Sequence, residues 1–257
     1  NYGWFVPLLV AYLIYDNWDA VAKPGKPDGR WYVAGWLVAA VLVGVVEVAR
    51  GTLAKTPTLS WLLAFGAVLG VTVTVLATRG WGCLKLVRFP LLFALVAVPI
   101  PFGWWHALGQ VLQRFVAAAD AEILNLIGIA AVAEGNVVKM AIGPVGIDEA
   151  CSGIRSLQTS FMVALLLGKL MLSRWSSRIV LVLLGPVVAV PGNLVRTMIL
   201  CLTAHYQGMD AMHKIHDSAG WSILAVTLVG QLVMVWWLRG WERRASEDLP
   251  AAEARTA

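Results

Sequence analysis

Residues 31–48, WYVAGWLVAAVLVGVVEV, form an apolar run of 18 positions interrupted by one charged side chain, Glu47. As a helix it rises about 27 Å, close to the thickness of a bilayer's hydrocarbon core. A run of this kind has little use in a soluble domain, so it constrains the fold more than any other feature. Comparable runs fall at about 3–15, 59–77, 88–103, 157–172, 179–206 and 218–238. Over 257 residues, 59% are hydrophobic and 14% charged, which excludes an ordinary soluble globule. The pattern predicts an all-α polytopic membrane protein with about seven (six to eight) transmembrane helices. Pro90, Pro99 and Pro101 interrupt the fourth run.

Between the fourth and fifth runs, Trp104–Ile129 carries apolar residues at helical spacing. His106, Gln110, Gln113, Arg114, Asp120 and Glu122 lie between them. That is the pattern of an amphipathic helix at the membrane surface, continuing or following the fourth span. The stretch EGNVVKMAIGPVGIDEA (134–150) mixes β-branched residues with glycine and predicts a short extended segment or a small hairpin. There is no internal repeat and no linker. Residues 1–240 therefore read as a single integral membrane domain and 241–257 as a polar tail. The opening run, NYGWFVPLLVAYLIY, has no basic segment before it and is unlike a cleavable signal peptide.

Basic residues set the expected orientation. One face collects 13 of the 20 Lys and Arg: Lys23, Lys26, Arg30, Arg79, Lys85, Arg88, Lys169, Arg174, Arg178, Arg239, Arg243, Arg244 and Arg255. The other holds Arg50, Lys55, Arg114, Lys139 and Lys214, while Arg155 and Arg196 belong to neither set. The richer face is expected in the cytoplasm together with the C-terminal tail. The loops 104–153 and 207–217 then face outward. The bases are scattered between apolar runs and form no stripe, so nucleic acid is not an expected partner; the lipid bilayer is.

Three positions on the outward side carry chemistry. Cys83, Cys151 and Cys201 are far apart and make no CxxC pair, which argues against a disulfide framework or a paired-thiol oxidant. Cys151 stands in GIDEACSGIRSLQTS, at the expected start of the fifth span. A lone cysteine is usually a small hydrophobe. Here it adjoins a helix start, whose free N–H groups favour a thiolate, with small Ser152, Gly153 and Ser156 around it. Asp148 and Glu149 oppose a thiolate unless one of them pairs with Arg155. Arg196, in PGNLVRTMIL, lies inside a span, where a cation either snorkels or serves a site. Asn193 is one turn earlier on the same face, and Pro186 and Pro191 are expected to bend the helix.

His216, in MHKIHDSAGWSI, precedes the last span, with Asp217 next to it and Ser218 as a candidate helix cap. It is either an ordinary loop residue or the imidazole partner of a thiolate. Cys83 and Cys201 read as structural. Two other classes compete. One is a zinc-dependent membrane hydrolase using His205, His213, His216 and Cys151, although Arg196 would repel the cation. The other is an anion transporter built on Arg196, although the spans hold almost no other ionisable group and no inverted repeat.

The motifs EACSGIRSL (149–157), NLVR (193–196) and HDSAGW (216–221) resemble, in that order, the three motifs of the exosortase/archaeosortase family of membrane cysteine transpeptidases. The opening run is similar to that family's early span, and histidine at 216 resembles the bacterial form. The resemblance implies Cys151 as nucleophile, Arg196 as oxyanion stabiliser and His216 as proton donor and acceptor. It implies supporting roles for Glu149, Ser152, Arg155, Asn193 and Asp217, with no metal or cofactor. The implied substrates are secreted proteins ending in a sorting signal: a Pro-Glu-Pro-type motif, a membrane helix and a basic cluster. They would be cleaved outside the bacterial inner membrane and passed to a surface acceptor. The family typically has about eight spans, one more than the seven counted here.

Overall fold

The structure is a computed structural model that describes residues 2–23, 25–29, 32–52, 56–98, 101, 103–146 and 154–256. Its helices are α1 (Val6–Tyr15), α2 (Trp18–Val21), α3 (Tyr32–Thr52), α4 (Pro57–Ala94), α5 (Gly103–Leu126), α6 (Ile154–Met171), α7 (Trp175–Gln207) and α8 (Met209–Thr256). Among the described residues, four helices are long and apolar enough to cross a membrane: Tyr32–Thr52, Pro57–Ala97, Trp175–Gln207 and Leu224–Ser246. Gly3–Tyr15 and Leu157–Met171 are shorter apolar helices. An all-α membrane protein is therefore the architecture. Its apolar residues also point outward, as lipid requires: Val33, Leu37, Val41 and Val45 on α3 are each about 60–70% exposed. The chain forms two compact units, residues 1–105 and 106–257.

In the first unit, Thr56 caps α4, its hydroxyl accepting from Leu59 N at 3.3 Å, and Pro57 fills the first turn. The 38 residues of α4 are not one rod. Gly80 has φ 75° and ψ −174°, a backbone conformation that excludes helix and is essentially reserved for glycine. Val68 and Val75, before it, pack with Cys83, Val87 and Leu91, after it. In a straight helix Val68 and Leu91 would stand about 35 Å apart, so the chain doubles back at Gly80. The runs at 59–77 and 88–103 thus occupy separate antiparallel arms. The loop before α3 lies across this turn: Asp28 N donates to Leu76 O at 3.2 Å, and Arg79 reaches the Ala22 carbonyl at 3.2 Å. The second arm ends as a 3₁₀ turn at Leu95–Ala97, short of the expected 103, and α5 starts at Gly103.

The second unit holds a meander of β1 (Ala131–Glu134), β2 (Val137–Met140) and β3 (Gly143–Gly146), antiparallel in the order β1-β2-β3. It starts three residues earlier than the extended segment expected at 134 and has three strands. Gly135, with φ 64°, takes the first position of the β1–β2 turn that needs a positive φ. One face, with Ala131, Val138, Met140 and Val145, is buried against α5, α7 and α8. Asn125 ties this sheet to α5, its amide donating to Ala131 O and accepting from Ala131 N, both at 2.9 Å.

Helices α6, α7 and α8 form an up-down-up bundle. Ser160 Oγ donates to Gly185 O at 2.8 Å, and Gln231 Nε2 donates to Ser160 O at 2.9 Å, so one buried polar layer crosses all three helices. At the opposite end from the sheet, the Glu242 carboxylate accepts from Ser173 N (3.1 Å) and Arg174 N (2.9 Å), capping α7 from α8. One expectation needs correction. The outward loop 207–217 is reduced to Gly208, whose φ of 89° ends α7 and lets α8 begin at Met209. His216 is therefore helical, and position 218 lies inside α8, not at its start. Helix α7 includes Pro186 and Pro191 within its bounds.

Candidate active site

Gly208 fixes the register between α7 and α8. Arg196 lies 12 residues before it, about 18 Å down α7, and His216 lies eight residues after it, about 12 Å down α8. The arginine side chain spans the difference: Arg196 Nη2 donates to the His216 carbonyl oxygen at 3.2 Å. Arg196 is only 5% exposed, so its charge acts where water screens little. His216 is half-buried. Two residues singled out from separate motifs are thus brought together by the reversal at Gly208.

The Ser160–Gly185–Gln231 layer gives a common reference plane. Arg196 lies 11 residues beyond Gly185 on α7, and His216 lies 15 before Gln231 on α8. Because neighbouring helices alternate in direction, both displacements point the same way. The start of α6, Ile154, lies six residues before Ser160 and is displaced in that same direction. Cys151, three residues earlier in the chain, is outside the described residues, as are Glu149 and Ser152. Of Arg155 and Asp217, only the helical backbone is described.

Asn193 is buried at 3% exposure, one turn before Arg196 on the same face. Thr197 is also buried, its hydroxyl turned onto the Asn193 and Leu194 carbonyls at 3.1 and 3.0 Å. Cys201 is 1% exposed within the apolar cluster of α5, α7, α8 and the sheet, while Cys83 is buried among Val87 and Leu91. Both thiols pack as hydrophobes.

One residue near this site does not follow from composition. Asp120, grouped by hydropathy with the polar face of α5, is fully buried, and Gln113 on the same face is 6% exposed. Among the described residues, neither Asp120 oxygen has a partner at full hydrogen-bond geometry. Burial pushes its carboxyl up from 3.8 to about 6, and the adjacent Thr197 hydroxyl acts in the opposite direction. Burial is the larger of the two effects. The spacing did contain a signal: Gln113, Val116, Ala117, Asp120 and Leu124 fall on one α-helical stripe.

A buried guanidinium suits the stabilisation of a developing oxyanion, and a histidine side chain is suited to the movement of a proton. The model of the transmembrane exosortase family matches residues 1–243, nearly the whole chain, and the chain belongs to that family. No curated protein and no solved structure matches it.

Proposed function

We propose that this transmembrane exosortase is a cysteine transpeptidase that processes C-terminal sorting signals. The observation that carries the reading is the Arg196–His216 contact, because it joins two of the three motif positions at one level of the bundle. The matching displacement of the α6 start supports Cys151 as the third member. The reversal at Gly80 supports counting two membrane segments in α4, and with them seven in all, in one domain over 1–240. The positive-inside pattern supports an active site outside the cytoplasm and a C-terminal tail within it.

In this reading the Cys151 thiolate attacks the scissile carbonyl carbon, and Arg196 stabilises the oxyanion of the tetrahedral intermediate. As that intermediate collapses, the C–N bond breaks and His216 gives its proton to the leaving amine. A thioester then links Cys151 to the new C-terminus of the substrate. An acceptor amine or hydroxyl gives a proton to His216, attacks the thioester and releases the thiolate. Glu149, Ser152, Arg155, Asn193 and Asp217 shape the site around these three. A substrate anchored by its own membrane helix meets the thiol at high effective concentration, so a short Pro-Glu-Pro-type motif suffices for recognition.

The test is co-expression with a secreted protein carrying a motif, a membrane helix and a basic cluster. Cys151→Ala is expected to insert normally and leave the substrate unprocessed. Full processing by that variant would exclude the mechanism. Processing abolished by a tight chelator and restored by zinc would favour a metal-dependent hydrolase instead.

A further inference from the structure

The doubling back at Gly80 creates a groove between the two arms of α4. Its cavity is about 320 Å³, lined by Val68 and Thr72 from the first arm and Trp81, Leu84, Lys85, Arg88, Leu91 and Leu92 from the second. Lys85 and Arg88 are three residues apart and therefore share one helix face. Among the described residues neither forms an ion pair or a hydrogen bond through its side chain. Thr72 offers them nothing, because its hydroxyl is turned onto the Val68 carbonyl at 2.7 Å. Arg79 at the turn differs, being engaged by the Val21 and Ala22 carbonyls.

The two cations stand about 8 and 12 Å along the arm from Gly80. In an apolar helix pair, charge at that depth is costly unless an anion meets it. The rest of the groove is hydrocarbon: Leu84 adjoins Lys85, and Val68, Leu91 and Leu92 lie farther from Gly80 than either cation. A cationic rim over an apolar trough matches an amphiphile carrying a negative head. Arginine's planar fork suits phosphate, and lysine adds a second point charge. We propose that this groove binds one anionic phospholipid, its phosphate between Lys85 and Arg88 and an acyl chain along Val68, Leu84, Leu91 and Leu92.

This site is separate from Cys151, Arg196 and His216, and stands or falls independently of the catalytic reading. The experiment follows thermal unfolding of the full chain in neutral detergent while phosphatidylglycerol, phosphatidylcholine or inorganic phosphate is added. Phosphatidylglycerol is expected to raise the midpoint, and the other two to leave it unchanged. K85A/R88A is expected to lose at least half of that rise, because both residues are exposed and their truncation spares the core. L84A/L92A is expected to weaken it as well. Equal stabilisation by phosphatidylcholine, a full rise with phosphate alone, or an undiminished rise in K85A/R88A would overturn the proposal. Native mass spectrometry of K85Q/R88Q gives a second reading: phosphatidylglycerol retained at wild-type stoichiometry would also overturn it.

Discussion

Arg196 Nη2 donates to the main-chain carbonyl of His216 at 3.2 Å. Any residue at 216 supplies that acceptor, so the arginine's placement and the histidine's chemistry are separable. His216→Ala is expected to keep the fold and the Arg196 contact while slowing processing by about 10²–10⁴-fold, the usual contribution of a general acid–base. Turnover assayed beside the unfolding midpoint checks this. A large fall in midpoint would assign His216 a packing role.

Arg196→Lys keeps the charge but loses the planar fork. A single ammonium cannot hold the His216 carbonyl and present a second N–H to an oxyanion with the same geometry. Processing is expected to fall by about 10²–10³-fold through kcat. Near-normal kcat would move Arg196 to a structural role.

Asp120 carries a pH signature. Its folded carboxyl titrates at about 6 and an exposed one at 3.8, so between these values the native state holds the extra proton. Stability is therefore expected to fall as pH rises from about 4 to about 6 and to remain low above that. Asp120→Asn is expected to flatten this slope and to be more stable than wild type at pH 8. Denaturation midpoints across pH 4–8 measure it; parallel curves for the two proteins would contradict it.

Gly80 and Gly82 make a matched pair. A Cβ at Gly80 would clash with the Lys26 carbonyl oxygen on a φ of 75°, whereas one at Gly82 would meet nothing within 4 Å. Gly80→Ala is expected to destabilise the protein by several kcal/mol through strain and overpacking. Gly82→Ala is expected to be neutral or stabilising by up to about 1 kcal/mol. Comparable behaviour of the two variants would remove the reversal from the account.

Long helices were legible because spanning a bilayer dictates run length. Breaks between them were less so: Gly80 and Gly208 each reverse the chain in a single residue, while the flanking polar residues suggested longer loops. That is why His216 was expected in a loop and lies in a helix. Asp120 was misplaced because a carboxylate reads as solvent-facing unless its helical stripe is weighed against its charge. Gln231 and Ser160, which join α6 to α8, carried no local signal, since their partners are 71 residues apart. A common depth for Arg196 and His216 was expected from charge asymmetry and helix rise, because both measure depth; the main-chain contact between them was not.

The account is tested most directly by trapping the enzyme with a peptide bearing the sorting motif, quenching in acid and mapping the acyl adduct by mass spectrometry. A thioester on Cys151, accumulating in the wild type when acceptor is withheld, slow to form in His216→Ala and absent from Cys151→Ala, is the predicted result. An adduct on another residue, or continued processing by Cys151→Ala, would contradict it.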